Sequence, residues 1–154
     1  MKKLGLIVLV AFISIQFIQP ARNNSGQVGS SKEIAIITPA DPEVKALLKA
    51  ACYDCHSNNT NYPWYATIQP MGWLLASHIR NGKAELNFDE FGNYPRRRQQ
   101  SKLKSIASQV EDDEMPLGSY SLIHKEARLT LDQKTMIINW ALNAKDSLSE
   151  NKVK

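Results

Sequence analysis

Cys52, Cys55 and His56 are the residues of this chain whose types and spacing do chemistry together, in the run Cys52-Tyr53-Asp54-Cys55-His56. On a helical turn, positions three and four apart share one face. Two thiols on such a face can add to the two vinyl groups along one edge of a porphyrin. The imidazole that follows them then reaches the iron as proximal ligand. C-x-x-C-H is accordingly the attachment sequence of c-type haem. The chain contains no other cysteine. A disulfide between Cys52 and Cys55 would close too small a loop to restrict the unfolded chain much. A thioredoxin-type pair expects a βαβ setting, and none is visible. Zinc would need two more ligands, and His56, His78 and His124 make no second pair. The expectation is one haem c, bound through Cys52 and Cys55, with His56 as proximal ligand.

The opposite face of the iron needs its own ligand. Met115 is the first choice. It follows the acidic run Glu111-Asp112-Asp113-Glu114 and precedes Pro116, a setting that does not suit a core methionine. A thioether in a loop can approach the iron free of helical constraint and suits an electron-transfer site. His78, on the apolar side of a helical pattern, is the alternative distal ligand. His124 reads as a surface or capping residue, and Met71 and Met136 sit where helix packing would use them. The aromatic cluster Tyr62-Pro63-Trp64-Tyr65 offers Trp64 and Tyr65 as walls of the haem pocket. Arg96-Arg97-Arg98 reads first as a solvated helix start.

The elements that must position these residues are helical. Asp41 and Pro42 suit an N-cap and a first helical position, and Val44, Leu47, Leu48 and Ala51 follow at helical spacing up to Cys52. Further helices are expected over Met71 to Leu86, from Tyr94-Pro95 to about Asp112, and from Thr130 onward. Thr130 and Gln133 form a capping-box pattern. Long loops, Ser57 to Pro70 and Glu114 to Leu129, separate these helices, and loops of that length in a small domain usually wrap something. Ile34 to Ile37 suits a strand or a packed arm.

The N-terminus reads as an export segment. Lys2 and Lys3 precede Leu4 to Ile18, 15 residues without a charge. As a helix this run rises about 22 Å, which fits a signal-peptide core better than a full membrane span. Gln19-Pro20-Ala21 makes a poor cleavage site, so residues 1–22 are a signal peptide or a retained N-terminal membrane anchor. Either way the remainder lies outside the cytoplasm: exported and periplasmic, soluble or held to the inner membrane. Residues 23–39, rich in Asn, Ser and Gly at their start, read as a flexible spacer. Residues 40–148 form the haem-binding domain. Of 154 residues, 43% are hydrophobic and 22% charged, which excludes wholesale disorder. Two of the four net positive charges are Lys2 and Lys3, so no nucleic-acid partner is expected.

Several motifs in order carry a resemblance. Cys52-x-x-Cys55-His56-Ser57-Asn58, Tyr62-Pro63-Trp64-Tyr65, Glu85-Leu86-Asn87-Phe88, Met115-Pro116 and Leu122-Ile123-His124-x-x-Ala127-x-Leu129 resemble the small bacterial haem-binding domain family related to c-type cytochromes. The resemblance spans about residues 40 to 145. It implies an all-α, cytochrome c-like domain wrapped around one covalent haem, His56 as proximal ligand and the Met-Pro methionine as distal ligand. It names no reaction or redox partner. Two function classes follow from the iron: a one-electron carrier with both faces ligated, working with an unidentified redox protein, or a haem enzyme or gas sensor with an open distal face. No distal catalytic His–Arg pair can be assigned, which favours the carrier over the catalyst.

Overall fold

A computed structural model of the chain describes residues 1–26 and 30–150. Among these residues the fold is all-α: α1 (Lys2–Ile15), α2 (Ile34–Ile37), α3 (Pro42–Ala51), α4 (Tyr53–His56), α5 (Met71–Glu85), α6 (Arg96–Glu111), α7 (Gly118–Ile123) and α8 (Leu131–Glu150). Short 3₁₀ turns cover Trp64–Thr67, Phe88–Asn93 and Lys125–Ala127. The one β-type contact is an isolated bridge between Asn24 and Asn59.

The two longest helices of the domain form its frame. Arg96 at the start of α6 donates to the Leu148 carbonyl at the end of α8 at 2.9 Å. Asp113, just past the other end of α6, pairs with Lys134 in the first turn of α8. The helices therefore run antiparallel, and a cation satisfies the last carbonyls of α8. The expected capping box is present: the Thr130 amide donates to Gln133 Oε1 at 2.9 Å and the Gln133 amide to Thr130 Oγ1 at 3.3 Å. Asp41 precedes α3 in extended backbone, with Pro42 in the first turn, but its carboxylate caps no amide.

Against this pair packs α3, burying Val44, Leu48 and Ala51 on one stripe. The core joins them to Phe88, Phe91, Leu103, Ile137 and Trp140. Ile34 is fully buried in the same core. Of the two expectations for Ile34–Ile37, the packed arm holds and the strand does not: it is one helical turn, and the Thr38 hydroxyl returns to the Ile34 carbonyl at 2.6 Å. The 23–39 stretch, expected as a spacer, is tied down on both sides of residues 27–29. Asn23 bonds Ser57 and Thr60, and the Lys32 carbonyl accepts from the Gly92 amide. A smaller cluster of Tyr65, Ala66, Leu75 and Ile79 packs beside Cys55 and Tyr62.

The two long loops are folded. Ser57 to Pro70 contains the turn at Trp64–Thr67, and Glu114 to Leu129 contains α7 and the turn at Lys125–Ala127. Met71, expected to pack, is partly exposed, whereas Met136 packs against the core. No described helix is long and apolar enough to cross a membrane. α1 is 14 residues long and buries none of them.

Phe91 is fully buried and meets Tyr94 edge-on at 6.0 Å, away from any chemistry-bearing side chain. Phe91→Ala is expected to cost about 3–5 kcal/mol, the usual penalty for a truncated core phenylalanine. Denaturant titration should show this loss.

Candidate functional site

The turn α4 is one helical turn whose start is the carbonyl of Cys52. That carbonyl accepts from the Cys55 amide at 3.2 Å and the His56 amide at 3.0 Å. α3 runs into it without a loop, because the Cys52 amide still donates to Leu48. Cys52, Cys55 and His56 consequently share one face, and that face lines a cavity of about 450 Å³. Pockets for small molecules and cofactors span roughly 300–1,000 Å³. Both thiols are free.

Four helices and the segments that follow α5 and α6 close the cavity. α3 and α4 supply Ala51 and the motif residues, and α5 supplies His78, Asn81, Gly82 and Glu85 at helical spacing. Leu86 and Phe88 line the proximal side, and α6 adds Ile106, Gln109, Val110 and Lys102. The segment after α6 adds Met115, Pro116, Leu117 and Tyr120. Met115 is aimed by the end of α6. Asp113 takes a left-handed backbone (φ 60°), and the amides of Glu114 and Met115 both turn back to the Gln109 carbonyl, at 2.9 and 3.0 Å. This is a helix C-terminal reversal of the kind usually built on glycine, and it carries the chain across the mouth of the cavity.

The His56 imidazole is fixed from behind. His56 Nδ1 lies 2.9 Å from the Leu86 carbonyl. A carbonyl only accepts, so Nδ1 carries the proton and Nε2 keeps its lone pair, the arrangement a metal-ligating histidine uses. The ring stacks on Phe88 at 5.6 Å, and Phe88 meets Tyr53 edge-on at 5.1 Å. Burial holds the imidazole below its ordinary pKa against the opposing pull of the Leu86 and Gly82 carbonyls, and Lys102 lowers it further. The ring is therefore neutral and available at neutral pH. Burial also pushes both thiols up, Cys52 to about 12 with help from Cys55, and Cys55 to about 11 with help from Asp54.

Behind the Leu86 carbonyl, Asn87 donates to Asn58 Oδ1 at 2.8 Å, and the Asn58 amide donates to Asp89 at 2.6 Å. Two of the separate sequence motifs, around Asn58 and around Asn87, are thus stitched together next to His56. Asp54, inside the thiol motif, accepts from the Tyr120 hydroxyl at 2.7 Å. Burial, and then this bond to Asp54, holds the Tyr120 phenol protonated well above its ordinary range.

Trp64 and Tyr65 do not line the cavity. Trp64 is 78% exposed, and Tyr65 is buried in the cluster beyond Cys55. The turn Trp64–Thr67 packs on α5, which directs these rings away from the cavity. Tyr65 instead contacts His124, whose Nδ1–H meets Glu126 at 3.1 Å and whose Nε2 accepts the Tyr65 hydroxyl at 2.8 Å. His124 also stacks on Tyr120 at 4.2 Å. His124 takes the capping position expected of it, between the end of α7 and the turn Lys125–Ala127, and its half-buried ring also braces the cavity's far wall. The arginine run is distant: Arg96 caps α8 and Arg98 lies over Tyr94.

Sequence reasoning missed Gly82. A Cβ there would stand 2.8 Å from the Cys55 carbonyl oxygen. Only glycine lets α5 approach α4 to backbone contact. It missed Lys102 as well, the one Lys or Arg among the described residues that lines the cavity, paired with Glu85 at 3.2 Å.

A thiol pair, a pre-oriented neutral imidazole, a thioether, largely apolar walls and one ammonium fit a haem, its iron and its carboxylate edge. The fold and site define a small helical domain built around a single prosthetic-group cavity. A haem-binding domain model matches residues 10–143, and the chain belongs to that family of haem-binding proteins. No curated protein and no solved structure matches it. The match begins inside α1 rather than near residue 40, in keeping with the bonds from residues 16–25 into the domain.

Gly82→Ala is expected to wedge α5 off α4, with a loss of about 1–3 kcal/mol and a fall in haem content. Gly118→Ala, where a Cβ meets nothing within 4 Å, is the control and should change neither. Thermal melts and the haem-to-protein absorbance ratio report both effects.

Proposed function

We propose that this haem-binding protein carries one c-type haem, joined through thioethers to Cys52 and Cys55, and moves single electrons outside the cytoplasm. His56 is the proximal ligand and Met115 the distal one. The observation that carries this reading is that Cys52, Cys55, His56 and Met115 all line the same cavity. The thiols would hold the haem, the imidazole and thioether would serve as ligands of its iron, and the haem would supply the reversible one-electron change. Lys102, which lines the cavity, would offset the negative charge of a haem carboxylate there. The apolar N-terminal segment, headed by Lys2 and Lys3, exports the chain and remains as an anchor at the inner membrane. Electrons pass to and from a separate redox protein.

His78 lines the same cavity from α5, and a bis-histidine iron is the second reading. An enzyme or a gas sensor would instead leave the distal face open.

Protein made with a c-type maturation system should retain its haem through acid–acetone extraction. The Cys52→Ala/Cys55→Ala double variant should lose all of it, and covalent haem surviving in that variant defeats the attachment. Ferric protein should show the near-infrared sulfur-to-iron charge-transfer band. Met115→Ala should abolish that band, lower the potential and open the iron to carbon monoxide. A band that is absent from the start, with a spectrum altered by His78→Ala, makes the site bis-histidine. Ready carbon monoxide binding by the unaltered ferrous protein points to the enzyme or sensor.

A further inference from the structure

The N-terminal helix does not simply trail from the domain. Past the end of α1, Gln16 exchanges hydrogen bonds with the Gln69 backbone, donating at 3.2 Å and accepting at 2.9 Å. Gln19 donates to the Thr67 carbonyl at 3.0 Å and accepts from the Gln69 side chain at 3.1 Å. Trp73 Nε1 donates to the Ile18 carbonyl at 2.9 Å. Five hydrogen bonds thus fasten the base of an all-round apolar helix to one spot, the start of α5 and the turn before it.

Around that spot the apolar side chains face outward. Phe17 and Ile18 are exposed on the helix side, and Ile68, Met71, Trp73 and Leu74 on the domain side. They form a collar where the chain leaves the domain. The charge pattern agrees: residues 1–32 and 57–84 contain no Asp or Glu, and every carboxylate side chain lies outside these two segments. The same two segments carry Arg22, Arg80 and Lys83. An apolar surface built from two acid-free segments, with an indole at its edge and continuous with a helix that is apolar all round, has the composition of a membrane–water interface.

We infer that the haem domain itself lies against a lipid bilayer through the collar Phe17, Ile18, Ile68, Met71, Trp73 and Leu74, in addition to the insertion of α1. The inference rests on the reading that α1 is retained as an anchor. It adds that the anchor is a rigid mount and not a tether. Leu74 stands one helical turn before His78, so the α5 wall of the cavity begins where the bilayer contact ends.

The test uses the full-length holoprotein on vesicles of phosphatidylethanolamine and phosphatidylglycerol. Flotation reports the anchor; hydroxyl-radical footprinting of the floated fraction reports the face. Leu122, Ile123 and Leu131, exposed elsewhere on the chain, are internal controls. The expected result is labelling of Met71 and Trp73 several-fold below their own labelling in the Ile68→Asp/Leu74→Asp variant on the same vesicles. The controls should label equally in both proteins. Ile68 and Leu74 lie outside the cavity, and an unchanged haem spectrum will show that the variant is folded. If the protein floats but Met71 and Trp73 label alike in both proteins, the collar is free and the inference fails while the anchor stands. If it does not float at all, the anchor reading fails and the collar falls with it.

Discussion

The hydrogen bond from His56 Nδ1 to the Leu86 carbonyl is the contact on which the site depends, because it decides which nitrogen faces the cavity. A histidine one residue past a thiol pair is only an address. To become a ligand it must be neutral, and it must present Nε2 in a fixed direction. Both conditions require the end of α5 to sit directly behind the imidazole. α5 gets there because Gly82 lets its backbone pass Cys55 at contact distance. It stays there because Asn87, just past the helix end, is bonded to Asn58, just past the histidine. Phe88 then covers the ring, and the hydrophobic core starts on the far side of Phe88. Prosthetic-group site and core are thus one packed unit.

The far wall obeys a different logic. Nothing on α6 reaches over the cavity mouth. The chain has to reverse there, and the left-handed Asp113 with the bonds back to Gln109 makes the reversal. Beyond Met115 the segment is braced by Tyr120 on Asp54 and by His124 on Tyr65. Asp54 belongs to the thiol motif, so the two sides of the cavity are joined through that motif as well as through the core.

Much of this was legible in the residues alone. Helices α3, α5, α6 and α8 announce themselves through apolar spacing, Pro42, Pro95 and the Thr130–Gln133 box, since each of these is a local signal. Cys52, Cys55 and His56 share a face because helical spacing requires it. What the sequence concealed depends on distant partners. Gly82 looks like a weak point in a helix until Cys55 is seen against it. Trp64 and Tyr65 look like walls because aromatics near a haem motif often are, yet the turn that carries them packs on α5 and points them elsewhere. Ile34 to Ile37 is too short a run to show its helical period, whereas its burial is set by the Phe91 side of the core.

The depth of the two thiols bears on the order in which the protein is put together. With Cys52 pushed up to about 12 and Cys55 to about 11, the closed fold disfavours both thiolates. Thiolate is the form that attacks and that oxidises. A chain that closed without haem would therefore present Cys52 and Cys55 to the cavity as unreactive thiols. On the proposed thioether attachment, the haem would be added before the fold closes, and closure would then shield the linkage. Burial would in that case set the order of assembly as well as the packing.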